Sequence, residues 1–119
     1  MTLQECYSII GDYNDVMKRL PRENMVIKFI FRFLEDKSYD QLMTAIENSD
    51  YKSAFMASHT IKGLCQNLSF TRLYESSHLI TEALRNENPD KTLIEELAGK
   101  VREDYTATVN AIKTFKSEQ

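Results

Sequence analysis

The chain has 119 residues, of which 42% are hydrophobic and 28% charged, and its net charge is −3 at pH 7. This size and composition predict a single domain over residues 1–119, with a core that needs no disulfide or metal. Only three glycines and two prolines are present, too few for the turns of a β-sandwich or barrel, so an all-α fold is expected.

The same counts exclude several kinds of site. Gly11, Gly63 and Gly99 are too far apart to form an ATP- or dinucleotide-binding loop. His59 and His78 cannot form H-E-x-x-H, and the two cysteines form no C-x-x-C pair, so we expect no metal site. No Lys/Arg-rich run suits nucleic acid, and no apolar segment suits a membrane or a leader, so we expect a cytoplasmic protein.

The first twenty residues predict two short helices. A T-x-x-E capping box at residues 2–5 begins a helix over Leu3 to Ile10, and Gly11 ends it. Asp12 or Asn14 begins the second helix, which ends before the first proline because proline has no N–H to donate and clashes with the preceding turn.

The next part of the chain, from Glu23, has apolar residues at helical spacing. It predicts two helices, or one helix with a break near Lys37. A second capping box, Ser38-x-x-Gln41, begins the later part.

Two longer helices are expected after it. Asp50 caps a helix that runs to about Leu68. Ser69 or Thr71 caps the next one, which runs to about Asn86.

The last helix is predicted to begin near Pro89, with Thr92-x-x-Glu95 as its capping box, and to carry an apolar stripe over residues 97–115. Helices of this length with short connections pack most simply as an antiparallel, up-down four-helix bundle. We expect the short N-terminal helices to lie over one end of it.

The helix over residues 51–68 carries the most informative pattern. At about 100° per residue, its apolar residues fall in one arc opposite His59; they are Ala54, Ala57, Ile61, Leu64, Cys65 and Leu68. Lys62, Gly63 and Gln66 lie within about 60° of His59. The sequence therefore predicts an exposed strip with an imidazole, an ammonium group, a residue without a side chain and an amide.

Each of the first three residues has a chemical use. An exposed neutral imidazole is a nucleophile that can accept a phosphoryl group. Lys62 places a cation one turn away, where phosphoryl oxygens would lie. Gly63 leaves room for them, although glycine inside a helix costs about 1 kcal/mol relative to alanine.

Phe55 and Met56 also fall within about 60° of His59. Two interpretations of this pair stay open. They pack against a neighbouring helix, or they form part of a surface that a partner protein buries on docking.

These residues resemble a known signature. His59-Thr60-Ile61-Lys62-Gly63, followed by Asn67-Leu68, is similar to the H-x-L-K-G…N-L-G motif of histidine phosphotransfer (HPt) domains. The resemblance extends over roughly residues 25–85. Ile61 stands where the motif has leucine, and Ser69 where it has glycine.

The resemblance implies a four-helix bundle that exchanges a phosphoryl group with the aspartate of response-regulator receiver domains. It implies that His59 is the phosphoacceptor, that Lys62 favours the phosphoryl group electrostatically and that Gly63 leaves room for it. Gln66 is a polar neighbour, and Thr81 and Arg85 of the next helix are expected to face the motif across a groove.

The implied protein is a stand-alone phosphocarrier without an ATP site, hence no enzyme in its own right. Its partners would be a receiver domain, a hybrid sensor kinase or both, with Mg²⁺ and the aspartate supplied by the receiver, and we expect a monomer without a cofactor. The alternative is a non-catalytic helical adaptor that docks receiver-like domains. An enzyme for a small molecule is disfavoured, since no second acid, base or metal set is present.

The other histidine is predicted to be a surface or hydrogen-bonded structural residue, with a position near the docking face as the alternative, and the cysteines are predicted to be structural. His78 has no lysine and glycine at the spacing found after His59. Cys65 lies on the apolar arc, and Cys6 is expected to be similar, as small buried residues with unreactive thiols.

Overall fold

The computed structural model describes residues 1–119 and consists of seven α-helices without strands. The helices are α1 (Leu3–Ile10), α2 (Tyr13–Arg19), α3 (Glu23–Phe33), α4 (Ser38–Glu47), α5 (Tyr51–Leu68), α6 (Thr71–Leu84) and α7 (Lys91–Ser117). The prediction of an all-α fold is thus confirmed. None of these helices is long and apolar enough to span a membrane.

Several predicted helix ends are confirmed. The Thr2 hydroxyl accepts from the Glu5 N–H at 3.0 Å while the Glu5 carboxylate accepts from the Thr2 N–H at 2.7 Å, the two bonds of a capping box. The side chains of Asp12 and Asp50 accept backbone N–H bonds in the first turns of α2 and α5. The uncertain segment after Glu23 forms two helices.

Three predicted caps are wrong, and in each case another residue takes the position. Ser38 is already helical, and its N–H donates to the Asp36 carboxylate at 2.8 Å. Thr92 lies inside α7, where Asp90 accepts the N–H bonds of residues 92 and 93. Ser38 is the first residue of α4, after Lys37 at the N-cap, and Thr92 is the second residue of α7. A Ser or Thr in the first turn of a helix gives the same sequence pattern as a cap, so spacing alone did not separate the two positions.

The start of α6 is the third correction. Neither Ser69 nor Thr71 caps this helix; Phe70 holds the N-cap position without a side-chain hydrogen bond. Ser69 instead ends α5 in the left-handed region, with φ 55°. Helix α6 ends at Leu84, two residues before the predicted end.

The helices pack as a bundle around one core. Helix α5 packs against α4 and α6, and α7 packs against α6 and contacts α4, while α1 lies on α7. At a rise of 1.5 Å per residue α7 is about 40 Å long, which nearly spans the 44 Å longest dimension of the molecule. A cluster of 25 buried residues draws on all seven helices.

The N-terminal helices close the C-terminal end of α5. The Tyr7 hydroxyl donates to the Leu68 carbonyl at 2.9 Å, and the Asp12 N–H donates to the Ser69 carbonyl at 3.0 Å. The Arg19 guanidinium donates to the carbonyls of residues 66 and 67. The last carbonyls of a helix have no partner inside it, so these contacts satisfy them and fix the helix that carries His59.

Candidate functional site

His59 lies near the middle of α5 and its side chain is exposed. Its neighbours on the opposite face, Ala57, Ile61 and Cys65, are buried in the core. The ring lies 5.9 Å from the Phe55 ring, at an angle of 40°. No hydrogen bond or ion pair holds the imidazole, so neither ring nitrogen is occupied by a partner within the chain. It is free to react with a group that approaches from solvent.

The helix beneath His59 is anchored by buried hydroxyl groups. Ser58 is fully buried and donates to the Phe55 carbonyl at 3.1 Å, and the Thr81 hydroxyl lies 2.9 Å from the Ser58 hydroxyl. Thr81 also donates to the Ser77 carbonyl at 2.6 Å. Thr81 therefore faces the motif helix, as expected, but from a buried position between α5 and α6 and not across a groove.

Lys62 lies one turn after His59 and extends towards α6. Its side chain is only 20% exposed, and its Nζ lies 3.9 Å from a carboxylate oxygen of Glu82. The same carboxylate accepts from the Nε of Arg85 at 3.1 Å. The ammonium group is thus less exposed than predicted and is held by a residue of the neighbouring helix.

Gly63 has open space where a side chain would begin. A Cβ built at this position meets no atom within 4 Å. Nothing within the protein therefore requires glycine here, although glycine weakens a helix interior. The missing side chain leaves room only for a ligand or partner that approaches the helix from solvent.

Arg85, Phe55 and Met56 border a shallow groove between the start of α5 and the end of α6. The Arg85 guanidinium lies over the Phe55 ring at 5.0 Å, in the range of a cation–π contact. Phe55 is half-buried and packs against the core, whereas Met56 is 64% exposed. Phe55 thus packs partly against the core and Met56 lies exposed, and the docking interpretation of the pair stays a prediction.

Gln66 lies on the same face of α5 as His59 but two turns further on, about 10 Å along the axis. Its side chain is exposed and makes no hydrogen bond, while its carbonyl accepts from Arg19 at 2.9 Å. The structure does not bring the Gln66 amide to the imidazole.

The other histidine lies on α6, one turn before Glu82, and the thiols lie in the core. His78 is half-buried, and its ring stacks on that of Tyr74 at 6.0 Å. Both cysteines are buried and unpaired; burial raises the pKa of the Cys6 thiol to about 11 and that of Cys65 well above its usual range. The prediction that both are small core residues with unreactive thiols is confirmed as to their burial. No group of three or more potential ligand side chains lies close enough to hold a metal ion.

Glu82 is the residue of this region that sequence reasoning missed. Hydrogen bonding from Arg85, with smaller contributions from the charges of Arg85 and Lys62, lowers the pKa of its carboxyl group. The pair with Arg85 has an i, i+3 spacing that the sequence could have indicated. The contact with Lys62 crosses between helices and has no sequence signal.

Comparison with known proteins identifies the family of the chain. The family model described as Hpt domain matches residues 33–111, about two thirds of the chain, including α4, α5, α6 and most of α7. A search of curated proteins and a search of solved structures found no match. On the strength of the family match, the chain belongs to the Hpt domain family.

Proposed function

We propose that the protein is a phosphocarrier of two-component signalling. His59 accepts a phosphoryl group from the aspartyl phosphate of a response-regulator receiver domain and passes it on or back. The observation that carries this proposal is the exposed, unpartnered imidazole of His59 beside the open space at Gly63, in a chain of the Hpt domain family.

The reaction is a phosphoryl transfer between two side chains. The unprotonated ring nitrogen of His59 attacks the phosphorus in line, and an N–P bond forms. The P–O bond to the aspartate breaks, and the carboxylate leaves with the electron pair. The ring keeps the proton on its other nitrogen, and transfer in the opposite direction reverses each change.

The chain supplies positioning and positive charge to this reaction. On this proposal Lys62, one turn after His59 on α5, supplies its ammonium group to the equatorial phosphoryl oxygens, and Gly63 gives those oxygens room. Arg85 adds a second cation on the neighbouring helix. Gln66, two turns away, does not take part on this proposal. The chain has no ATP site, and Mg²⁺ comes with the receiver domain.

Docking is proposed to bury Met56 and the edge of the Phe55 ring, which lie on the same face as His59. The same receiver surface could belong to a free response regulator or to a hybrid sensor kinase. We further propose that α4 to α7 form the antiparallel, up-down four-helix bundle that the resemblance implies, and that the protein acts as a cytoplasmic monomer.

A pair of histidine variants tests the proposal. The protein is incubated with a receiver domain phosphorylated on aspartate, with Mg²⁺, and label on the protein is measured. His59→Gln should abolish labelling and leave the fold intact, because this side chain points into solvent. His78→Gln should label like the wild type. Equal labelling of both variants would refute the proposal, and receiver binding without any labelling of the wild type would favour the adaptor instead.

A further inference from the structure

Glu82 faces the same cations that the phosphoryl group would need. Its carboxylate lies 3.9 Å from the Lys62 ammonium and 3.1 Å from the Arg85 Nε. Lys62 and Arg85 belong to different helices, and Glu82 is the acidic side chain that pairs with both. In the protein without phosphate, this single carboxylate therefore holds two positive charges, that of Lys62 one turn after His59 and that of Arg85 over the Phe55 ring, which lies 5.9 Å from the His59 ring.

A phosphoryl group on His59 would change this balance. It brings about two negative charges at neutral pH and oxygens that accept strong hydrogen bonds from cations. The ammonium of Lys62 is at the long end of ion-pair distance from Glu82, whereas Arg85 is hydrogen-bonded to it. The ion pair of Glu82 with Lys62 is thus weaker than its ion pair with Arg85. Lys62 is therefore the cation that a phosphoryl oxygen would attract more easily.

We propose that Glu82 is a positioning residue that competes with phosphorylated His59 for Lys62 and Arg85. It keeps the cations in place while the imidazole is free, and its negative charge limits how far the transfer equilibrium lies towards phosphohistidine. The inference rests on the proposed function, because it concerns the stability of the phosphorylated form of that same histidine.

Two substitutions separate the charge of Glu82 from its shape. Glu82→Gln keeps the size and an oxygen that accepts from Arg85 but removes the negative charge. Glu82→Asp keeps the charge. Glu96→Gln on α7 removes the same charge from an exposed position that has no ion pair, and it serves as the matched control for net charge.

The first measurement is the equilibrium between a phosphorylated receiver domain and each variant. Glu82→Gln should shift it towards phosphohistidine by about fivefold, the order expected when one surface charge is removed from the surroundings of the phosphoryl group. Glu82→Asp and Glu96→Gln should stay close to the wild type. The shift should shrink at high ionic strength and in the background of Lys62→Ala, because the competition acts through Lys62.

The second measurement does not need a receiver. Phosphoramidate, a small donor whose N–P bond breaks with loss of ammonia, phosphorylates the histidine directly, and the lifetime of the phosphohistidine is then followed. Glu82→Gln should lengthen it relative to the wild type, and Glu96→Gln should not.

Each outcome bears on one proposal. Equal equilibria and lifetimes in Glu82→Gln and the wild type would overturn the role of Glu82, as would an equal shift in Glu96→Gln. Phosphorylation of His59 by phosphoramidate but by no receiver domain would instead count against the proposed function, while the lifetimes would still decide the role of Glu82.

Discussion

Among single residues, Gly63 is the one at which a substitution should affect stability and phosphoryl transfer in opposite directions. Its Cβ position is open, as is that of Gly99 on α7. Alanine at either position should therefore stabilise the protein, by about 0.5–1 kcal/mol, because glycine is the poorer helix former. Only Gly63→Ala should also slow phosphoryl transfer, since a methyl group then occupies the space for phosphoryl oxygens.

Urea unfolding and transfer rates measured on the two alanine variants test this prediction. Gly99→Ala is the matched control, with the same change in a helix interior away from His59. A Gly63→Ala protein that is more stable and transfers at the wild-type rate would show that the open space at residue 63 has no role in the reaction.

Lys62 should matter through its charge. Lys62→Ala should lower phosphoryl uptake about fivefold to tenfold, because a partly exposed charge-assisted hydrogen bond to the phosphoryl group is lost. Lys28→Ala removes an exposed lysine of α3 that has no ion pair, and it should leave uptake unchanged. Initial rates of labelling compare the two; similar rates in both variants would make Lys62 an ordinary surface residue.

The exposed strip on α5 could be predicted from the sequence, but its contacts with α6 could not. The helical period was enough to predict that His59 is exposed and that Ile61 and Cys65 are buried, because these depend on one helix alone. The burial of Thr81 and the contact of Glu82 with Lys62 depend on how α6 lies against α5. The position of α6 along α5 and its rotation about its own axis are set by tertiary packing, and no local sequence pattern indicates them.

At the scale of elements, the close approach of α1 and α2 to the end of α5 depends on Gly11. A Cβ at this position would lie 1.8 Å from the Ser69 carbonyl oxygen, a backbone atom that cannot turn away. Gly11→Ala should therefore destabilise the protein by about 1–3 kcal/mol, the usual range for overpacking. Thermal or urea unfolding measures it, and Gly99→Ala, expected to shift stability the other way, is the control. A neutral Gly11→Ala would contradict the close approach.

Arg19 of α2 should stabilise the same contact between the N-terminal helices and the end of α5. It donates to the carbonyls of Gln66 and Asn67, contacts the Ser69 hydroxyl and pairs with Asp15 at 2.8 Å. Arg19→Ala should destabilise the protein by about 1–2 kcal/mol, discounted because the side chain is partly exposed. Hydrogen exchange should rise at the last turn of α5, and Arg22→Ala should leave it unchanged. Unaltered exchange in Arg19→Ala would refute this role of the N-terminal helices.

Helix ends show why elements were predicted more securely than their boundaries. The caps at residues 2, 12 and 50 were predicted because a side chain with the right oxygen is followed by an apolar helical pattern. The caps at residues 38, 71 and 92 were wrong because Asp36 and Asp90 satisfy the N–H groups first, and because α6 begins without a side-chain cap. Several nearby side-chain oxygens can accept from the free N–H groups of a first turn, and the path of the preceding loop decides which one does.

At the scale of the whole molecule, the shared core indicates that the N-terminal helices and the bundle unfold together. Residues 1–20 contribute Leu3, Cys6, Tyr7, Ile10 and Val16 to the buried cluster. We therefore predict a single domain over residues 1–119 with one unfolding transition. Fluorescence and circular dichroism should give coincident urea curves, and an early transition confined to the N-terminal helices would contradict a single domain.

Stability should also fall in acid. The pKa values of Glu5, Asp15, Asp50 and Glu82 are lowered in the folded state by hydrogen bonds to the ionised carboxylates; for Asp15 the Ser69 hydroxyl contributes most and Arg19 next. Lowered values mean that the folded state binds protons less readily than the unfolded chain. Their stabilisation is complete above about pH 4.5 and is lost as the pH falls through the lowered values.

Urea midpoints between pH 7 and pH 3 measure this dependence. Asp15→Asn should flatten it relative to the wild type, whereas Glu35→Gln, at an exposed carboxylate without a hydrogen bond, should not. An identical slope in Asp15→Asn and the wild type would show that the Asp15 contacts do not favour its charged form.

The fold class and the motif helix could be predicted from composition, helical period and a specific motif, whereas the arrangement of charges around His59 required the packed structure. The role of His59 as phosphoacceptor is tested most directly by the chemical nature and position of the phosphate after transfer from a phosphorylated receiver domain with Mg²⁺. We expect one acid-labile, alkali-stable phosphate that mass mapping places on His59. A phosphate on any other residue, or binding of the receiver without transfer, would contradict it.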